Sequence, residues 1–151
     1  MTTQELEYID RMTAEYKKRL IDFVSKNDVF IESLDVEFDK YATMIADFFA
    51  IDCDRMTSKA TRRREYVIPR RMLFWFCRNK FGNRTSLGQL GRFCGGFDHA
   101  TVLYQIKKFN EDYTYDAMFK DDADGVMSRL GYRVQKLSKE NYTIEQIDLQ
   151  L

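Results

Sequence analysis

The sequence predicts an all-α protein, and three observations carry that expectation. Apolar residues recur at helical spacing along most of the chain. Proline occurs once, at Pro69, and glycine seven times in 151 residues, which argues against a long loop-rich architecture. Cap signals such as Ser86-Leu87-Gly88-Gln89 and Asp98 stand where helices should start. Hydrophobic residues make up 44% and aromatics 15%, enough for one packed domain with short appendages.

Residues 3–26 carry Leu6, Ile9, Met12, Tyr16, Leu20, Phe23 and Val24 on one helical face. Asn27-Asp28 suggests a break. A second helix is expected from Asp35 to Ala50, with Tyr41, Ile45, Phe48 and Phe49 inward. Ile51–Asp54 reads as a turn and Arg55–Ser58 as a short helical turn. Thr57–Val67, with Arg62-Arg63-Arg64 at its centre, reads as a basic loop. Pro69 is placed at the start of the next helix, which runs to Phe81 and ends at Gly82-Asn83. Phe74, Trp75 and Phe76 are expected in the core, and their bulk implies that something extra packs there. Ser86 caps a short helix, with Gln89 reaching back to it. Gly95-Gly96-Phe97 forms a tight turn, and Asp98 caps a helix from His99 to about Tyr113. Val102, Leu103, Ile106, Phe109 and Tyr113 form its core face. Ala100, Thr101, Tyr104, Lys107 and Lys108 form another.

Charge balances over the whole chain but not locally. Residues 1–50 hold 6 basic and 11 acidic side chains, residues 51–110 hold 13 and 4, and residues 111–151 hold 5 and 9. Between Arg55 and Arg92 eleven basic residues accompany one acid, Glu65. Such a local excess suits a polyanionic partner; a solvated basic face is the alternative. A short helix, a glycine turn and an amphipathic second helix together read as a helix-turn-helix, whose second helix enters the DNA major groove.

Enzyme chemistry has little support. Cys53, Cys77 and Cys94 form no CxxC pair and His99 is the lone histidine, so no metal site is expected. Cys94 and His99 lack an orienting third group. There is no GxxxxGK[ST] or GxGxxG motif, so no nucleotide or other cofactor is expected. No apolar run approaches the ~20 residues of a membrane span. The acidic N-terminus is unlike a signal peptide, and the odd cysteine count suits a reducing cytoplasm.

The run Gly95-Gly96-Phe97-Asp98-His99-Ala100-Thr101-Val102-Leu103-Tyr104 resembles the GGRDHTTVLH signature of the C-terminal, DnaA-box-binding domain of the bacterial replication initiator DnaA family. Ile45-Ala46-Asp47-Phe48-Phe49, Ser58-Lys59, Pro69-Arg70-Arg71-Met72 (similar to PRQM), Ser86-Leu87 and Leu90-Gly91 agree with it. The resemblance covers residues 36–115, between an N-terminal helical extension, 1–35, and a C-terminal helix and tail, 116–151. It implies a helical bundle with a helix-turn-helix of the DnaA C-terminal, Trp-repressor-like type. It further implies a sequence-specific double-stranded DNA-binding protein in replication initiation or its regulation, non-catalytic and without the family's ATPase domain. A phage or mobile-element origin, and a cytoplasmic, nucleoid-associated location, are the matching expectations, with replication proteins as further partners.

By the same resemblance, Arg62 enters the minor groove, with Arg63 and Arg64 as near alternatives. Leu87 and Gly88 match positions touching a thymine methyl. Asp98, His99, Ala100, Thr101 and Tyr104 read bases in the major groove. Arg63, Arg64, Arg70, Arg78, Lys80, Lys107 and Lys108 are expected at phosphates, where contacts position the duplex without reading it. Four positions depart from the pattern: Ala100 for Thr, Tyr104 for His, Phe97 for Arg and Gly88 for Pro. Two extra residues fall around Gly82–Thr85. Each altered base contact shifts discrimination by ~1–3 kcal/mol. An interaction module that kept the fold but lost DNA reading is the runner-up; a nuclease is a distant third.

In the flanks, Met118, Phe119, Val126, Met127 and Leu130 suit a helix ending at Gly131. Tyr132–Leu137 and Tyr142–Leu149 alternate weakly, as a small β-hairpin or a docking tail. The N-terminal helix is expected to cover the module or to mediate self-association.

Overall fold

A computed structural model of the chain describes residues 2–147, and side chains at 2–19 and 34–147. Six α-helices precede one hairpin: α1 (Thr3–Phe49), α2 (Cys53–Met56), α3 (Arg64–Phe81), α4 (Leu87–Phe93), α5 (His99–Tyr115), α6 (Ala117–Leu130), β1 (Tyr132–Ser138) and β2 (Asn141–Gln146). A 3-10 turn, Gly82–Arg84, joins α3 to α4. The chain divides into two compact units, Met1–Val36 and Glu37–Leu151. No helix among the described residues is long and apolar enough to cross a membrane.

Three helices differ from expectation in their bounds. The short turn of helix, expected at Arg55–Ser58, is α2 at Cys53–Met56, because Asp52 caps it by accepting from the Asp54 N–H. α1 runs through Asn27 and Asp28 without a break. These residues cost a helix only a few tenths of a kcal/mol each, about 0.7 at most, and no Gly or Pro occurs between Thr3 and Phe49 to add a real stop. Helix α3 begins at Arg64, so Pro69 lies inside it and not at its start. Extended Arg63 takes the N-cap position, its carbonyl accepting from the N–H groups of Tyr66 and Val67 at 3.0 Å each. Glu65 in the first turn faces the positive end of the helix dipole. Tyr66 is buried, which anchors this added turn.

In the second unit, α3 is the hub. Met72 through Cys77 are buried without interruption, as befits a helix covered on every side. Trp75 stacks on Phe109 of α5, ring centroids 4.0 Å apart and planes 10° off parallel. Phe76 meets Tyr41 of α1 edge-on at 4.8 Å and Tyr132 of β1 at 5.2 Å. Phe74 meets Phe97 at 5.8 Å. The extra packing implied by this aromatic run is supplied by the hairpin directly and by α6 through Phe109 of α5. Phe119 of α6 sits edge-on against Phe109 at 5.2 Å. Thr143 of β2 donates to Asn79 of α3 at 3.0 Å.

The C-terminal segment takes the hairpin form. Its strands pair antiparallel from Tyr132↔Gln146 to Ser138↔Asn141, with an irregularity between Lys136 and Ser138. Asp116 caps α6 by accepting from the Phe119 N–H, and Gly131 ends it at φ 90°. Where α6 crosses α1, a Cβ on Gly125 would lie 2.9 Å from the Phe48 ring.

Two glycines set the turn between α4 and α5. Gly91 accepts from the N–H groups of Gly96 and Phe97 at 2.9 and 3.0 Å. A Cβ there would lie 1.8 Å from the Phe97 carbonyl oxygen. Gly95, at φ 91°, lies against the loop after α2, where a Cβ would meet the Thr57 carbonyl oxygen at 2.6 Å. Gly96 is also left-handed, at φ 98°, but faces open space.

Trp75→Ala is expected to lower the unfolding free energy by about 3–5 kcal/mol in a urea titration. Gly91→Ala forces α4 away from the turn and costs roughly 1–3 kcal/mol or more. Gly96→Ala meets nothing and costs only its left-handed backbone, ~1 kcal/mol. Equal losses at the two glycines would show that the close crossing does not govern this turn.

Candidate nucleic-acid interface

The helix-turn-helix comprises α4, the turn Cys94–Asp98 and α5. Ser86 caps α4 by accepting from the Gln89 N–H at 3.1 Å. The Gln89 side chain does not reach back to Ser86 as expected; its Oε1 accepts from the Thr85 hydroxyl at 3.0 Å. Asp98 caps α5, its Oδ1 accepting from the Thr101 N–H at 2.8 Å. That bond, with smaller contributions from His99 and Lys59, holds the exposed carboxylate below its ordinary pKa. It therefore stays an anionic acceptor at neutral pH.

Asp98, His99, Ala100 and Tyr104 are exposed at the start of α5, with Thr101 half-buried among them. Lys107 continues this surface one turn on. Leu103, expected in the core, is 38% exposed. It stands one turn from both His99 and Lys107, so it belongs to the open row. Val102, Phe109 and Tyr113 are buried as expected, while Ile106 is half-buried. Leu87 and Gly88 are half-buried in the first turn of α4. Phe97, which stands where the resembled pattern has Arg, turns inward: its ring lies under the Arg70 guanidinium at 4.8 Å and against Phe74.

The basic residues fall into distinct groups. Arg62, Arg63 and Arg64 are exposed, and Arg63 is 3.7 Å from Glu65. Arg62 and Arg64 line the same surface depression as Lys108 of α5, together with Asp112 and Asp116. The structure thus brings the basic loop beside α5. Lys108 is held there by Glu111 at 3.2 Å and Asp112 at 3.6 Å, contacts that raise its pKa. Arg78 is half-buried and donates to the Thr85 carbonyl at 3.1 Å, just before α4. Lys80 lies over the Tyr132 ring at 5.6 Å, toward the hairpin.

Arg70 is not available to phosphate. It is 4% exposed, and its guanidinium donates to four backbone carbonyls: Met56 at 2.7 Å, Ser58 at 3.0 Å, Thr61 at 3.1 Å and Arg55 at 3.4 Å. Burial pulls its pKa down. The side chain therefore shapes the basic loop from within. Burial acts the opposite way on the neighbouring Cys94 thiol, pushing it up to about 12, and that thiol stays protonated.

Two residues escaped sequence reasoning. Arg71 joins α3 to α5, donating to Gln105 at 2.8 Å and to Asp112 at 2.6 Å. Nothing in the adjacent pair Arg70-Arg71 tells which carbonyls or carboxylates each will meet. Lys59, exposed in the loop that Gly95 abuts, is close enough to Asp98 to lower its pKa. Its position beside Ser58 was the available signal. Among the described residues, no group of three His, Cys, Asp or Glu side chains could hold a metal ion.

Comparison with known proteins agrees with this geometry. Residues 39–109 match the family described as the bacterial dnaA protein helix-turn-helix. Over 119 residues the chain is 29% identical to the chromosomal replication initiator protein DnaA of Flavobacterium psychrophilum, covering 79% of this chain and 23% of that protein. It is 37% identical over 67 residues to the DnaA protein of Thermus thermophilus, covering 44% of this chain and 15% of that one. For the DnaA protein of Thermomicrobium roseum the values are 38% over 69 residues, with 46% and 14% covered. The chain thus spans less than a quarter of the length of these relatives. Residues 39–109, from the C-terminal part of α1 through most of α5, are a helix-turn-helix domain of the bacterial DnaA family.

Proposed function

We propose that this domain binds double-stranded DNA in replication initiation or its regulation, by recognition and not by catalysis. One observation carries the reading. A helix-turn-helix presents Asp98, His99, Ala100, Thr101 and Tyr104 along the open start of α5, with Arg62 and Arg64 beside the same helix.

In this reading α5 enters the major groove. The Asp98 carboxylate accepts from a cytosine amino group, and Thr101 with Ala100 meets a thymine methyl. His99 and Tyr104 reach neighbouring base edges, while Leu87 and Gly88 approach a further methyl from α4. Arg62 enters the adjacent minor groove, where a narrow groove concentrates negative potential. Arg63, Arg64, Arg78, Lys107 and Lys59 hold phosphates. Lys108 joins them only by giving up Glu111 and Asp112, and Lys80 only where the duplex reaches the hairpin side. The inward Phe97 leaves the groove-facing surface unobstructed, which favours DNA reading over the interaction-module alternative.

Binding-site selection from a random duplex library, read against a salt series, tests the proposal. An enriched motif with strongly salt-dependent affinity is the expected result. Sequence-blind, weak binding would replace this reading with the interaction module. Magnesium-dependent cleavage of the duplex would replace it with a nuclease.

Within an enriched motif, Thr101→Ala is expected to relax discrimination at one base pair by about 1–3 kcal/mol. Lys107→Ala should instead weaken all sequences alike and lower the salt slope by about 1. Competition titrations of matched and mismatched duplexes separate the two. The double variant Ala100→Thr with Tyr104→His restores the family's side chains, and its selected motif should shift toward a DnaA box.

A further inference from the structure

The N-terminal unit leaves a row of large apolar side chains in water. Leu6 is 49% exposed, Ile9 48% and Tyr16 65%, all on one helix. Isolated surface apolar groups need no explanation, but this row has a register. Leu6, Ile9, Thr13, Tyr16, Leu20, Phe23, Asn27 and Phe30 follow one another in alternating steps of three and four. That is a heptad seam with a 3.5-residue period, the spacing that keeps one stripe facing a partner helix as two helices supercoil. Among the described residues, unit Met1–Val36 holds only α1 and no second element on which that helix could bury this seam.

The flanking charges indicate what covers it. Glu5 and Asp10 border the first part of the seam, and Lys17 and Lys26 border the later part. In a parallel, in-register pair, Glu5 would face Asp10 of the other copy, acid against acid. In an antiparallel pair, Leu6 crosses Phe23, Ile9 crosses Leu20 and Thr13 crosses Tyr16. Asp10 then faces Lys17 and Glu5 faces Lys26, and two-fold symmetry makes each contact twice. The seam is therefore complementary to itself only when one copy is reversed.

We infer that residues 3–26 are a self-association surface on which a second copy of this chain packs antiparallel, as a two-helix coiled coil. The inference is independent of the DNA reading. Its consequence for that reading is two helix-turn-helix domains in one particle, so that adjacent sites would be bound with avidity.

Sedimentation equilibrium of the full chain tests it. The wild type is expected to be a concentration-dependent dimer. Leu6→Glu combined with Ile9→Glu should give a monomer, with the thermal unfolding of the second unit unchanged as proof that the chain still folds. Asp10→Lys should weaken the dimer roughly tenfold at low salt, because the new charge meets Lys17 of the other copy. Adding Lys17→Asp should restore it. In a parallel pair Asp10→Lys would instead strengthen association, through Glu5. A wild type that is monomeric at every concentration, a dimer indifferent to Leu6→Glu with Ile9→Glu, or a dimer tightened by Asp10→Lys would overturn the inference.

Discussion

The stack of Trp75 on Phe109 is the constraint from which the second unit is built. Two flat rings 4.0 Å apart fix both the spacing of α3 and α5 and the rotation of α5 about its axis. Once Phe109 faces α3, the 3.6-residue period fixes the rest. Val102 and Tyr113 must point inward, and Ala100, Tyr104 and Lys107 must point out. Arg71 adds a polar lock on the same pair of helices, through Gln105 and Asp112. Its charge is matched by a carboxylate, and its Nε and Nη1 both donate, which offsets the cost of a largely buried guanidinium. In the proposed DNA reading, α5 serves only if its orientation survives contact with the duplex. Here that orientation is set from behind, by side chains far from the open face.

The parts of the fold legible in the sequence are those governed by local chemistry. Ser86, Asp98 and Asp116 cap helices through their own side chains, and Gly131 ends α6 because its backbone is left-handed. Such signals need no knowledge of neighbours. The start of α3 is decided by a tertiary contact. The start of α3 was hidden because the burial of Tyr66 outweighs the loop-like look of three consecutive arginines. Asn27-Asp28 resembles a break, yet a weak propensity does not end a helix that nothing else interrupts. The open face of α5 was readable from period and resemblance together. The role of Arg70 was not, since a basic residue in a basic segment looks the same whether it meets phosphate or backbone carbonyls.

Arg70 also explains how the two halves of the proposed DNA surface remain in register. Its guanidinium gathers the carbonyls of Arg55, Met56, Ser58 and Thr61, and so sets the path of the loop that carries Arg62. The same group lies over Phe97, the residue just before the cap of α5. One buried cation thus touches the loop proposed for the minor groove and the turn that launches the helix proposed for the major groove. Gly95 reinforces this by packing its backbone on Thr57.

This arrangement bears on the departures from the family pattern. Phe97 in place of Arg removes a charge from the turn, but its half-buried ring packs against Phe74 and under Arg70. That substitution changes how the turn is held and leaves the outer surface to others. Ala100 and Tyr104 are different, because both are exposed on the face of α5 proposed to read bases. Replacing Thr by Ala deletes a hydroxyl and keeps a methyl-sized apolar contact, while Tyr for His adds length and moves the polar atom outward. Caps, a glycine crossing and an aromatic stack hold the helix-turn-helix of the same chain in which two positions on the open face of α5 depart from the family pattern. Selection on the scaffold alone would leave such surface positions free to drift toward any side chain. What remains on this face, an acidic cap, a histidine and a threonine in the first turn and a tyrosine in the next, is still a set of donors and acceptors suited to base edges. The physical argument therefore favours altered specificity over lost recognition.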